Sequence, residues 1–276
     1  MPTPNRSSRH GGGAPGAVPE VGGEVPDRPL ACLIDADNAY ARIVREVLEE
    51  AAKYGTVIIR RAYGDWTSPQ LASWKKVLHE HAISPIQQFA NISGKNATDS
   101  ALIIDAMDLL HGGRVEGFCI VSSDSDYTRL ATRIRESGHF VLGVGRAGTA
   151  PAFRNACNVF VAIENIAPAA AEPAPARQPP APARRGPGTP NVSPLTKAPP
   201  AAAVPLLRKA FDTVVREDGR ASLSHLGTAV QKLDPAFDPR TYGRPRLRQL
   251  VEALMDTFVL EPSPQRGSAV LLVRLR

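Results

Sequence analysis

Residues 30–38 read LACLIDADN, and this stretch decides the fold: five apolar residues, Leu30–Ile34, stop at an aspartate. A run that short and that continuously apolar reads as a strand buried on both faces, the kind found in parallel sheets. Three more aspartates, Asp99, Asp124 and Asp126, also follow strand-like runs. In an open parallel sheet the residues after the strands gather along one edge, so acids far apart in sequence are brought together there. Clustered carboxylates repel one another strongly unless a cation lies between them. The pattern therefore predicts a divalent-metal site, whose chemistry would be metal-assisted attack on a phosphodiester.

Working outward, the spacing predicts alternating elements. A helix-period stretch over Arg42–Tyr54 is stopped by Gly55, and Thr56–Ala62 follows as a β-branched strand. Pro69–His81 reads as a helix, and Ile83–Phe89 as a strand interrupted early by Pro85. Thr98–Leu110 is helical, with Thr98 as candidate N-cap, and Gly112-Gly113 ends it. Strand Phe118–Val121, helix Tyr127–Ser137, strand Phe140–Val144, a short helical turn near Ala152–Ala156 and strand Val159–Ile163 complete the block. Such alternation predicts a doubly wound, mostly parallel sheet with helices on both faces. Strands one and four should adjoin at its switch point, which would set Asp35 beside Asp124 and Asp126.

The chain has 276 residues and a net charge of +6, unevenly spread. Acids and bases balance over residues 28–166, whereas residues 167–276 hold 16 basic against 9 acidic side chains. A neutral acid-bearing block joined to a basic tail suits a polyanionic substrate. Gly- and Pro-rich residues 1–29, and the Ala/Pro/Arg-rich residues 167–203, read as disordered segments around a domain at 30–166. Over residues 204–276, helices at Val204–Arg216, Leu223–Lys232 and Pro245–Phe258 precede a hairpin of Val259–Leu260 and Ala269–Leu275. Three helices closed by a hairpin form a winged-helix pattern.

Cys32, Cys119 and Cys157 lie in or beside apolar runs without a CxxC pair, which favours a reducing compartment over a disulfide frame or zinc site. No stretch approaches membrane-spanning length and no signal-peptide core opens the chain, so the expectation is a cytoplasmic protein.

All-oxygen ligands suit Mg²⁺ or Mn²⁺. Asp126 or Asp99 could then orient or deprotonate the attacking water. Asp37 sits beside the site but alternates away from Asp35. Asp105 lies six residues beyond Asp99, about 9 Å along a helix axis and rotated by roughly 240°, so it cannot share a metal with Asp99 and is expected at the crevice edge or paired with a base. Asp108 reads as a solvated charge.

The segments LIDADNAY (33–40), SGKNATDSALIIDAMDLL (93–110) and VSSDSDYTRLATRIRESG (121–138) together resemble the NYN domain, a PIN-like nuclease fold of the LabA-like group, over about residues 30–166. The resemblance implies a Mg²⁺- or Mn²⁺-dependent ribonuclease. By position it assigns Asp35, Asp99, Asp124 and Asp126 to the acidic metal-binding set, Asn38 to support of the first aspartate, and Lys95 to phosphate contact. Further on, DPRTYGRPRLRQLVEAL (238–254) and VLLVRL (270–275) resemble the OST-HTH/LOTUS domain. That resemblance implies an RNA- or protein-binding winged helix.

Arg240, Arg244, Arg246 and Arg248 surround Tyr242, a basic patch with one aromatic that could grip phosphates and stack a base, or else a solvated rim around a core tyrosine. Trp66 reads as a half-buried loop residue that could alternatively stack a base. Of Arg60 and Arg61, alternating on one strand, at least one should reach solvent or a carboxylate. The histidines have no partner at ligand spacing. Two other function classes compete with the nuclease. One is a non-catalytic RNA-binding adaptor. The other is a haloacid-dehalogenase-type phosphatase with Asp35 as nucleophile and Asp37 as acid/base, although no lysine precedes Asp124 between Lys95 and Ser123.

Overall fold

The computed structural model describes residues 27–89, 97–167, 197–263 and 270–276. Residues 1–26 of the segment read as disordered over 1–29, most of the proposed linker, and the loop carrying Lys95 lie outside the described residues, whereas Pro29 already belongs to the first strand.

Six strands, β1 (Pro29–Asp35), β2 (Thr56–Gly64), β3 (Ser84–Gln87), β4 (Gly117–Val121), β5 (Phe140–Gly145) and β6 (Val159–Ala162), form one sheet in the order β3-β2-β1-β4-β5-β6. Every pairing is parallel. This is the doubly wound order, with the switch point between β1 and β4 as the sequence predicts, and it fits a PIN-like α/β fold.

Helices α1 (Val44–Ala51), α2 (Trp74–Glu80), α3 (Ala97–His111), α4 (Thr128–Glu136), α5 (Pro151–Ala156) and α6 (Ile163–Ile166) connect the strands. Alternation along β1 feeds two cores. Leu30, Cys32 and Ile34 pack with Val47, Trp74 and Leu78 on one face, while Ala31 and Leu33 pack with Leu102, Leu130 and Phe153 on the other. Leu33 is fully buried, and truncating such a side chain to alanine costs about 2–5 kcal/mol.

Departures from the expected boundaries are local. Regular helix α1 begins only after a 3-10 turn at Ala41–Ile43, and it ends three residues before the chain tightens into Gly55. A Cβ at Gly55 would lie 2.3 Å from the Arg28 carbonyl oxygen, so a side chain there is incompatible with the approach of the chain to β1. The helix expected from Pro69 opens as a 3-10 turn, Pro69–Leu71, capped by Ser68. Strand β3 is shorter than expected, and Pro85, which has no N–H to give, is tolerated because β3 is an edge.

The C-terminal unit holds α7 (Val204–Val214), β7 (Arg220–Ser222), α8 (Leu223–Leu233), α9 (Leu247–Glu252), β8 (Phe258–Pro262) and β9 (Leu271–Leu275). Its antiparallel sheet runs β7-β9-β8. The expected third helix is cut to the six residues of α9, because the Leu254 carbonyl accepts both Thr257 and Phe258 N–H groups and turns the chain into β8. Strand β7, three residues long, was too short to show a period in the sequence. Pro200–Ala203, read as the end of the linker, form a 3-10 turn whose Ala203 is fully buried in the C-terminal core. Among the described residues, no helix is long and apolar enough to cross a membrane.

Candidate metal centre

Strand β1 delivers Asp35 to the crevice at the switch point. The carboxylate is fully buried, and its Oδ2 accepts the Asn38 side-chain amide at 2.8 Å and the Ser122 hydroxyl at 2.9 Å. Its Oδ1 accepts the backbone N–H groups of Asp37 and Asn38. Burial nevertheless dominates: the acid is pushed up to about 6, with the neighbouring charges of Asp99 and Asp37 adding to the shift against the Asn38 and Ser122 hydrogen bonds.

Directly after strand β4 comes Ser122, whose hydroxyl donates to Asp35 and accepts the Asp124 N–H at 3.0 Å. One serine thus fixes the loop carrying Asp124 to the floor carrying Asp35. Asp124 in turn caps the 3-10 turn Ser125–Tyr127 by accepting the Asp126 N–H at 2.9 Å. The local role of a turn-forming aspartate is therefore real, and it aims Asp126 across the crevice at the same time. The third participant, Asp99, stands in the first turn of α3 and accepts the Tyr127 hydroxyl at 2.7 Å.

Carboxylate oxygens of Asp99, Asp124 and Asp126 lie within 4.8 Å of one another. The charges acting most strongly on Asp99 are all aspartates, Asp124, Asp126 and Asp37, and together with burial they raise its pKa despite the Tyr127 hydrogen bond. Tyr127 is pushed strongly upward as well, by burial first and then by the negative charge of Asp35, so it stays a neutral donor. Oxygen-only donors at this spacing match the ligand preference of a hard divalent cation.

The structure thus groups three of the four expected ligands, with Asp35 linked beneath them through Ser122. Asp37 does not join the group, and its Oδ2 accepts the Thr98 hydroxyl at 2.9 Å. Thr98 accordingly lies inside α3, tying it to the β1 loop rather than capping it. Asp105 is paired with a base: its Oδ2 accepts Arg61 and the Tyr63 hydroxyl, both at 2.8 Å. Asp108 is exposed. Trp66 is half-buried, with its indole N–H on the Ile86 carbonyl and its ring edge-on to Trp74. Lys95 lies outside the described residues.

Sequence reasoning missed Ser122 and Tyr127. Ser122 occupies the first position after β4, the same edge that singled out the aspartates. Tyr127 follows Asp126 directly, but an aromatic at a helix start reads as core.

In the C-terminal unit Tyr242 is half-buried and packs on Phe237 at 5.8 Å between ring centres, while Arg244, Arg246 and Arg248 are exposed. Arg240 does not belong to that basic patch. It is engaged by Glu50 and Asp238.

Residues 29–164 match the family model of the NYN domain, and residues 194–270 match that of the OST-HTH/LOTUS domain. The chain joins these two domains. No curated protein matches it. Among solved structures it is similar to a protein of unknown function, VPA0982, from Vibrio parahaemolyticus, at 19% identity and a TM-score of 0.42, over 50% of this chain and 93% of that one. It is also similar to an uncharacterized protein from gene locus NE0665 of Nitrosomonas europaea, at 30% identity and a TM-score of 0.24, over 36% of this chain and 89% of that one. The acid cluster lies wholly within the NYN domain, and the exposed arginines lie within the OST-HTH/LOTUS domain.

Proposed function

We propose that the chain is a metal-dependent ribonuclease that hydrolyses RNA phosphodiester bonds, with the OST-HTH/LOTUS domain as its RNA-binding module. The observation that carries this reading is the convergence of Asp99, Asp124 and Asp126 at the switch-point crevice of an NYN domain.

Asp99, Asp124 and Asp126 would hold Mg²⁺ or Mn²⁺, with Asp35 and Asn38 completing and orienting the set from below. A cation held there supplies a Lewis acid for the phosphoryl oxygens and acidifies water at neutral pH. The chain's own contribution is positional. Ser122 and Tyr127 lock two of the acids in place, so little reorganisation remains when substrate arrives. Asp126, the exposed member of the cluster, or Asp99 would accept a proton from attacking water. Lys95 is proposed as a phosphate contact, and Tyr242, Arg244 and Arg246 as the RNA-facing group of the second domain.

The phosphatase alternative finds little support. A nucleophile must be reachable, whereas Asp35 is fully buried with both oxygens already accepting hydrogen bonds. Three buried free cysteines support a reducing, cytoplasmic setting.

The test is cleavage of labelled single-stranded RNA with Mn²⁺. Cleavage should vanish with chelator and in Asp35→Asn and Asp124→Asn proteins. Wild-type turnover by both variants would overturn the reading, and RNA binding without cleavage in any metal would favour an adaptor.

A further inference from the structure

Separate from the acid crevice, the two domains share an ionic contact between residues far apart in the chain. Glu50, near the end of α1, is only 4% exposed, yet it is a carboxylate in an otherwise apolar face with Val44, Val47 and Ala51. Its counter-charge comes from 190 positions away. Arg240 Nη1 donates to Glu50 Oε2 at 2.9 Å and Nη2 to Oε1 at 3.1 Å, a two-pronged pair. The same guanidinium donates through Nε to both oxygens of Asp238, and Nη2 lies 2.7 Å from Asp238 Oδ2. Every nitrogen of Arg240 is therefore engaged with a carboxylate of its own chain. Lys53 adds a more exposed contact to Glu50 at 2.6 Å.

Neutral contacts surround this pair. The Phe160 N–H of β6 donates to the Pro235 carbonyl at 2.8 Å. Asn165, in α6, donates to Asp238 Oδ2 at 3.1 Å and to Thr241 Oγ1 at 3.0 Å. Ala236 packs against the core around Leu33 and Phe160. The segment from Pro235 to Thr241 thus meets α1, β6 and α6 through side chains and backbone at once.

We propose that the OST-HTH/LOTUS domain is latched to the NYN domain through Arg240, so that the two remain associated without a covalent connection between them. The two-pronged geometry fixes which surfaces of the two domains meet, and a substitution that removes one partner leaves the other charge at the contact without its counter-ion. The consequence is that Arg244, Arg246 and Arg248 keep a fixed place relative to the acid crevice rather than sampling positions set by a tether. This inference does not depend on catalysis.

The experiment uses the full chain with a protease site placed within residues 168–196, cut to completion after folding and then passed over a sizing column at low concentration. The two fragments of the wild-type protein should elute together. In Arg240→Glu they should separate, with association weakened at least tenfold. Glu50→Gln, which keeps the shape of the acid, should weaken association in the same direction and serves if the arginine variant fails to fold. Wild-type fragments that elute apart would overturn the latch, and fragments of either variant that stay together as tightly as wild type would overturn the role of the pair.

Discussion

Two groups of carboxylates in this chain are withdrawn from water, and their charges are managed in opposite ways. At the domain contact Glu50 meets an arginine whose every nitrogen is spoken for, and its pKa is held below the usual glutamate range by Arg240 and Lys53 despite burial. At the crevice Asp35 and Asp99 are pushed upward, by burial and by neighbouring aspartates, and the groups that pull them back among the described residues are the neutral donors Asn38, Ser122 and Tyr127. Where an acid serves architecture, the chain provides the cation itself. Among the described residues, the crevice gathers carboxylates and neutral donors, a set that could hold a cation from solution.

The largest expected effect is on cleavage. Asp99→Asn keeps an acceptor for the Tyr127 hydroxyl but removes a ligand charge, and RNA turnover should fall on the order of 100-fold or more, measured with saturating Mn²⁺. Next is the opposite site. Arg240→Met leaves Glu50 buried with only exposed Lys53 as partner, so denaturant stability should drop by about 3 kcal/mol. An unchanged midpoint would show that the two sites are not different in kind.

The acid limb of stability in chelator-treated protein sharpens the comparison further. Asp35, pushed up to about 6, and Asp99, raised in the same direction, have folded pKa values above their unfolded ones, so the penalty for ionising each is fully present above its folded value and is relieved as pH falls toward the ordinary aspartate value. Glu50, faced by Arg240 and Lys53 with Asp238 and Tyr54 nearby, has the reverse sign: its contribution is full above the ordinary glutamate value and is lost as pH falls through its lowered one. Stability from denaturant unfolding should therefore rise by on the order of 1 kcal/mol between neutral pH and about 5, then fall once pH drops below the ordinary glutamate value. A monotonic decline from neutrality would contradict the crowding at the crevice. The smallest effect is again at Asp99: in metal-free protein Asp99→Asn should gain about 0.5 kcal/mol, the reverse of its effect on turnover.

Much of this was legible from LACLIDADN and its counterparts, because strand length, parallel winding and the edge rule are properties of local pattern. The acids of the crevice were found that way, and so was the adjacency of β1 and β4. Tyr127 escaped because it was read only as the start of a helix, whereas its hydroxyl reaches Asp99, 28 residues earlier in the chain. The Glu50–Arg240 pair escaped for a different reason, since nothing local connects residues in two domains. A clue was present nonetheless: Glu50 falls three residues after Val47 and one before Ala51, on the buried face of α1, where a lone acid demands a partner from elsewhere. Arg240 was misassigned because four arginines around a tyrosine look alike in sequence, whereas only three of them are exposed.

The hydrogen bond from Phe160 to Pro235 has a consequence for the life of the protein in a crowded solution. Strand β6 is a terminal strand of the large sheet, and terminal strands offer their unpaired amides to any extended chain that drifts past. The second domain occupies that rim with its own carbonyl. Losing the C-terminal half would therefore uncover a sticky border, and the truncated protein should be prone to self-association through sheet extension, whatever becomes of its chemistry.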